Sequence, residues 1–361
     1  MSRAPSAIVI GLGAVGSACA AALASVGCRV TAIGDPRRST TRRSGGYLLL
    51  QSKFPGPLLD LAARSLELFD DLAREAPHLG YRRTGSLLLA ADESEAARLH
   101  VRVRALRQAG VPLQWLDGDT LRRIQPGLST AVDAGSFCPL DGQIEPSALA
   151  EHWRHVLLKR GGQIVESPLS ELDAEPAGGF RAVGPEVDVR GELVVLAGGP
   201  WSPPLAANLG LTLDIQPRRG WLFRAVADRP IASCPLLGGD YLAAKSSTRA
   251  YEVAFNLQQF SSGEVVLGGT REFVGFSEAG GEEARREVLR VAARYVEGLD
   301  RLEWDSGAAG FRPWAPCPYL GRTEVAGCYL ACGFEGDGVT LSAAAAERIA
   351  MQVVEDGLTT A

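Results

Sequence analysis

Ala7-Ile-Val-Ile-Gly11-Leu-Gly13-Ala14-Val15-Gly16 is the stretch that decides how the chain is read. Ala7 to Ile10 is a β-branched run of the kind that forms a buried parallel strand. Gly11, Gly13 and Gly16 follow in the G-x-G-x-x-G spacing that turns a strand tightly into a helix. The first glycine permits the turn, the second lets the backbone approach a pyrophosphate, and the third lets helix and strand pack closely. The N-terminus of that helix offers unpaired N–H groups and the positive end of a dipole to an anion. Arg29-Val-Thr-Ala-Ile33 supplies a second strand, so the spacing closes a β-α-β unit that reads as a dinucleotide site. Arg3, the apolar run and Ala20-Ala21-Ala22 also have the composition of a secretory signal, but the glycine register and the immediate second strand argue against it. The carboxylate that usually ends the second strand is displaced: Gly34 stands there and Asp35 comes one step later. Arg37 and Arg38 then follow, as a site for a 2′-phosphate would require, so these residues leave FAD and NADP both open.

Composition narrows the remaining classes. The 361 residues suffice for one large or two interleaved domains with a substantial core. A formal charge of −5 argues against a general nucleic-acid binder, which needs a basic face for phosphate. Basic charge is carried by arginine, since lysine occurs only at Lys53, Lys159 and Lys245. No apolar run reaches the length of a membrane span without glycine or charge. The seven cysteines are scattered, without C-x-x-C pairs or metal-ligand spacing to the four histidines. That pattern predicts reduced thiols in a cytoplasmic protein, with neither a disulfide framework nor a metal site.

Further along, Pro57 and Pro146 each suit the first position of a helix. Glu93 to Gln108 reads as an exposed helix, Glu282 to Glu297 as a further helix, and Leu341 to Glu355 as an alanine-rich one. Glu192 to Ala197 is a second buried strand opening onto Gly198-Gly-Pro-Trp201-Ser, which fits a chain that leaves the nucleotide domain and returns to it. From Leu213 to Thr270 the texture turns to strands at Ile215–Ala225, Tyr241–Ala244, Arg249–Leu257 and Glu264–Gly268, predicting a largely antiparallel sheet.

Seven short stretches, in one order, carry a family resemblance. They are the glycine motif, Asp141 to Pro146, Ala197 to Ser202, Pro217-Arg-Arg-Gly220, Gly268 to Phe276, Gly310-Phe-Arg-Pro313 and Gly333 to Thr340. Together they make the chain resemble the flavin-dependent D-amino-acid oxidase, glycine oxidase and sarcosine oxidase superfamily. Arg271 to Phe276 and Glu335 to Val339 are similar to the flavin subunits of multi-subunit dehydrogenases acting on hydroxyproline, proline and opines. The resemblance implies an α/β fold, a Rossmann-like FAD-binding domain interleaved with a mostly antiparallel-sheet substrate domain. Its segments would be 1–80, 139–212 and 306–361 for FAD and 81–138 and 213–305 for substrate. It also implies non-covalent FAD rather than NADP. By matching position, Gly11, Gly13, Ala14, Val15 and Gly16 would meet the pyrophosphate and Asp35 the ribose. Ser44, Gly45 and Gly46 would lie near the ribityl chain and Leu169 at the adenine. Gly198 and Trp201 would line the site, and Gly336, Asp337, Gly338, Val339 and Thr340 would flank the flavin pyrimidine.

For chemistry, the resemblance implies that Arg312 receives a substrate carboxylate, a task for which a planar guanidinium is suited. It makes Tyr241, at the start of a predicted strand, a pocket wall and Tyr251 a looser candidate; Pro316-Cys317-Pro318 shortens the family's pocket rim. The implied reaction is oxidation of the C–N bond of an amino or imino acid to an imine, by hydride transfer to flavin N5 with no strong side-chain base. Val266 falls where sarcosine oxidases carry a lysine above the flavin, which favours electron transfer to iron–sulfur or flavin partner subunits over transfer to oxygen. The alternatives are a peroxide-forming oxidase of the same fold and an NADP-dependent oxidoreductase using Arg37 and Arg38.

Overall fold

A computed structural model of the chain describes residues 4–359, so Arg3 of the signal-like reading lies outside the described residues. The glycine-motif strand, β1 (Ser6–Ile10), is an inner strand of a six-stranded sheet. Its neighbours are β2 (Arg29–Ile33) and the strand Leu193–Leu196, both parallel to it. Gln163–Val165 extends the sheet beyond β2, and Cys328–Cys332 extends it on the other side. The outermost strand, Tyr319–Arg322, is antiparallel. Covered on both faces, β1 needs apolar side chains at every position from Ala7 to Ile10, which is why it does not alternate.

Helix α1 (Ala14–Ser25) is rich in small residues and buries most of its circumference. It packs against Pro146–Lys159 on one side and Gly338–Glu355 on the other. The β1–α1 turn depends on glycine at two places. Gly11 takes φ +123°, and a Cβ on Gly16 would lie 2.0 Å from the Gly11 carbonyl oxygen.

The second sheet has eight strands in the order Ala308–Trp314, Gln216–Val226, Glu264–Glu272, Tyr251–Gln259, Leu236–Gly238, Ser86–Ala90, Ala134–Cys138, Gln114–Asp117. Neighbours are antiparallel except Leu236–Gly238 beside Ser86–Ala90. The segment 306–361 therefore divides between the sheets. Its first strand, Ala308–Trp314, pairs Arg312 with Arg218 at the edge of the eight-stranded sheet, and its later strands complete the six-stranded one.

One local expectation is corrected, and one element was not anticipated. Tyr241–Ala244 is not a strand but part of the helix Asp240–Ser246, because a four-residue apolar run carries no usable period and its alanines favour helix. A three-stranded meander at 171–191 intervenes before Leu193; its strands are short and charged, so no strand pattern stands out. The helices opened by Pro57 and Pro146 run to Glu75 and Lys159. The helix Glu93–Gln108 is capped by Asp92, whose carboxylate accepts from the Glu95 N–H at 2.8 Å. All seven cysteines are free thiols, and among the described residues no helix is long and apolar enough to cross a membrane.

Candidate active site

A single cleft begins at the carboxyl ends of the parallel strands and runs to one face of the eight-stranded sheet. At its outer end it is walled by Gly11–Val15 after β1, Gly34 and Asp35 after β2, and Ala197–Trp201 after the Leu193–Leu196 strand. This crevice is where open α/β sheets bind ligands. Leu169, Ser44 and Gly45 line its middle, and Gly336, Gly338, Val339, Tyr241, Asn256 and Arg312 its inner part.

Two helix N-termini converge on the cleft. Cβ atoms placed on Gly336 and Gly338 would find only Arg312 Cδ and Nε at 3.8 Å and Val15 Cγ2 at 3.7 Å, so these glycines leave the backbone open to the cavity. Val15 lies in the first turn of α1 and Gly338 begins the last helix, which brings both positive dipole ends to one space. Asp35 lines the cleft with its carboxylate engaged by arginine. Arg37 donates to its carboxylate at 2.9 and 3.0 Å and Arg38 approaches at 3.7 Å. The Arg37 hydrogen bond holds the Asp35 carboxyl below its ordinary range. An arginine pair already neutralised by a carboxylate is a poor receptor for a 2′-phosphate.

The inner end is dominated by cations. Arg312 leans over Gly220, where a Cβ would lie 1.9 Å from its Nη1. That nitrogen donates to the Thr270 carbonyl at 3.1 Å, and no carboxylate among the described residues forms an ion pair with Arg312. Burial, with the neighbouring Arg271, pushes its pKa down. Arg271 is paired with Glu335 and lies with Cζ 4.9 Å from the Tyr241 ring centre. Arg218, fully buried, reaches Glu335 at 3.8 Å and Glu252 at 3.7 Å. Burial opposes ionisation of Glu335, yet Arg271 and Arg312 hold its carboxyl below the usual range. Of these three arginines, only Arg312 lines the cleft without a carboxylate partner.

Behind the last helix N-terminus lies a second charged group. Asp337 is held by Lys53 at 2.8 Å through one oxygen and by Lys245 at 2.6 Å through the other. Burial opposes its charge, but Lys245 and Lys53 outweigh it and bring its pKa to about 2. Burial in turn lowers Lys53 to about 8, against the attraction of Asp337.

The sequence-derived residues divide accordingly. Gly11, Gly13, Ala14, Val15, Asp35, Ser44, Gly45, Leu169, Gly198, Trp201, Gly336, Gly338, Val339, Tyr241 and Arg312 share the cleft. Gly16, Gly46, Asp337 and Thr340 stand behind the wall, where Thr340 donates to the Tyr47 carbonyl at 3.0 Å. Tyr251 is 46 % exposed at a strand start and lies away from the cleft. Val266 is buried against Leu222 and Phe260, outside the lining. Asn256, Tyr47 and Glu335 line the cleft without having been singled out. Of these, Tyr47 had a cue in the sequence, its place directly after the Gly45-Gly46 turn. Asn256 had none, being one polar residue in a strand.

The profile of the DAO family, FAD dependent oxidoreductase, matches residues 6–352. The glycine oxidase of Geobacillus kaustophilus is 27 % identical over 355 residues, covering 92 % of this chain and 89 % of that protein. A D-amino acid dehydrogenase of Cereibacter sphaeroides is 28 % identical over 304 residues, covering 81 % of this chain and 66 % of its own. The crystal structure of the Geobacillus kaustophilus glycine oxidase superposes with a TM-score of 0.88 at 25 % identity, covering 98 % of this chain and 95 % of that one. The cleft fits FAD: it joins an open glycine turn, two helix N-termini and an inner cationic chamber in one continuous space. The chain belongs to the DAO family of FAD-dependent oxidoreductases, and FAD is its cofactor.

Proposed function

We propose that this enzyme oxidises the C–N bond of a small amino or imino acid to an imine and passes the electrons to a partner protein rather than to oxygen. The observation that carries the substrate class is Arg312. It is a half-buried guanidinium facing the cleft, with one hydrogen bond to a carbonyl and, among the described residues, no carboxylate in ion-pair contact. A cation in that state calls for an anion, and the fork geometry of arginine suits a carboxylate. The naming of relatives as glycine oxidase and D-amino acid dehydrogenase supports the same class.

FAD, when bound, supplies the two-electron acceptor. In this reading Gly11–Val15 hold its pyrophosphate, Asp35 its ribose and Leu169 its adenine edge. Gly336–Val339 set a helix N-terminus at the flavin ring. The protein's remaining work is to bind and orient the substrate and to exclude water. Arg312 fixes the carboxylate and Tyr241 closes one wall, so that the substrate Cα–N bond is held in a single orientation. No histidine lines the cleft, in keeping with a reaction that uses no strong side-chain base.

Support for the electron acceptor comes from the lysines. The chain has three, none of which lines the cleft. Lys53 and Lys245 are both committed to Asp337. Among the described residues no lysine ammonium thus lines the cleft to stabilise superoxide. The cysteines are too scattered to hold a cluster on this chain, so an iron–sulfur relay would belong to another subunit. The seven unpaired thiols favour a reducing, cytoplasmic location.

The test is an anaerobic titration of purified holoenzyme with glycine, sarcosine, L-proline and D-alanine. Bleaching of the oxidised-flavin bands by at least one of them is expected. A flavoprotein that none of these or related amines bleaches would overturn the reading.

A further inference from the structure

The carboxylate receptor has a counterpart on the same sheet face. Asn256 is 5 % exposed and lines the cleft with Arg312, Leu222 and Gly220. Its Nδ2 donates to the Ala254 carbonyl at 3.1 Å, which fixes the carboxamide. No donor among the described residues reaches Oδ1, and this oxygen is not sealed in protein: it opens to the cleft. Room for the carboxamide comes from Gly268 on the adjacent strand. A Cβ there would lie 2.6 Å from Asn256 Oδ1 and 2.5 Å from Leu222 Cδ2. The registers of both neighbouring strands slip beside this point, between Val253 and Asn256 and between Arg219 and Leu222. Such irregularities re-aim side chains next to sites.

Two polar heads are therefore bedded over glycine gaps in one sheet face, a cation over Gly220 and a neutral acceptor over Gly268. An acceptor that faces the cleft and has no protein donor is free to take a hydrogen bond from a ligand placed against it. We infer that Asn256 Oδ1 accepts a hydrogen bond from the substrate nitrogen, so that the cleft selects amino acids whose nitrogen bears an N–H. Primary and secondary amino acids satisfy it. N,N-dialkyl amino acids, as the neutral amine, leave it unpaired. Neutrality matters as well: a carboxylate at this position would repel the substrate carboxylate bound at Arg312, whereas a carboxamide does not. The inference rests on the proposed carboxylate role of Arg312.

Two inert, nearly isosteric ligands separate the roles: pyrrole-2-carboxylate, which has an N–H, and furan-2-carboxylate, which has an oxygen in its place. Calorimetric titration of the FAD-loaded enzyme should show the pyrrole acid binding about 5- to 10-fold more tightly. Asn256→Leu should erase that preference while leaving furan-2-carboxylate affinity unchanged. Asn256→Ala gives the same readout if the leucine variant yields no folded holoenzyme. Equal binding of the two acids by the unmodified enzyme, or a preference that survives substitution, would overturn the role of Asn256 and leave Arg312 untouched. Failure of both acids to bind would instead remove the carboxylate site, and this inference with it.

Discussion

Gly220 provides the space in which the guanidinium of Arg312 lies, since a single Cβ at that position would come within 1.9 Å of Nη1. The two residues sit on adjacent antiparallel strands, Gly220 opposite Gly310 and Arg312 opposite Arg218. Gly220→Ala must therefore displace the arginine or the strand. The expected result is a KM raised at least tenfold for any carboxylate substrate, with FAD still bound and the flavin spectrum retained. An unchanged KM would show that the guanidinium has room to move without loss of function.

Arg312 itself gives the sharper test. Arg312→Ala should cost about 2–4 kcal/mol in kcat/KM, carried mainly by KM, because a charge-assisted, two-point contact is lost. Arg312→Lys should recover little of it, since a point charge does not reproduce the fork. Steady-state kinetics with an artificial electron acceptor read both variants.

Asp337 ties together Lys53 from the segment after the Tyr47–Leu48 strand and Lys245 from the helix Asp240–Ser246. Its pKa falls from an ordinary 3.8 to about 2 in the folded protein. A depressed carboxylate stabilises the fold above its unfolded pKa, and that contribution is lost as pH drops through the folded value. On the order of 2 kcal/mol should thus disappear between pH 4 and 2. Asp337→Asn should destabilise the protein by about 3–5 kcal/mol at neutral pH, because it leaves two cations facing a neutral amide. Chemical denaturation of both proteins at pH 6 and pH 3 should show the gap between them narrowing in acid.

Mixing substrate-reduced enzyme with air in a stopped-flow instrument examines the electron acceptor. Reoxidation much slower than turnover with a dye acceptor is expected, with little hydrogen peroxide formed. Reoxidation by air that outpaces the dye, with one equivalent of peroxide, would make this enzyme an oxidase.

Much of this was legible in the chain itself, for identifiable reasons. The β1–α1–β2 unit could be read because its glycines obey steric rules within ten residues of sequence. Arg312 was found through its neighbours Gly310, Phe311 and Pro313. Asn256 was not, because what makes it notable is the gap over Gly268, two strand residues brought together only by pairing. The Lys53–Asp337–Lys245 group was equally hidden: its members stand 284 and 92 residues apart in their two contacts. Tyr241 lines the cleft from a helix rather than from the expected strand, since helix and strand both bury a short apolar run.

The six-stranded sheet is also a statement about timing. Three of its four inner strands come from Ser6–Ile10, Leu193–Leu196 and Cys328–Cys332, so β1 and its neighbour β2 emerge from the ribosome long before the other flank is made. The cleft wall at Gly336, Gly338 and Val339 is translated later still. A nascent chain therefore has half a nucleotide site and no flavin chamber until synthesis is almost over. Closing such distant segments is slow, and the exposed apolar strand is vulnerable meanwhile. The helices Ala14–Ser25 and Gly338–Glu355, which pack on each other, can meet only once synthesis is nearly over, and FAD would bind after that contact has formed.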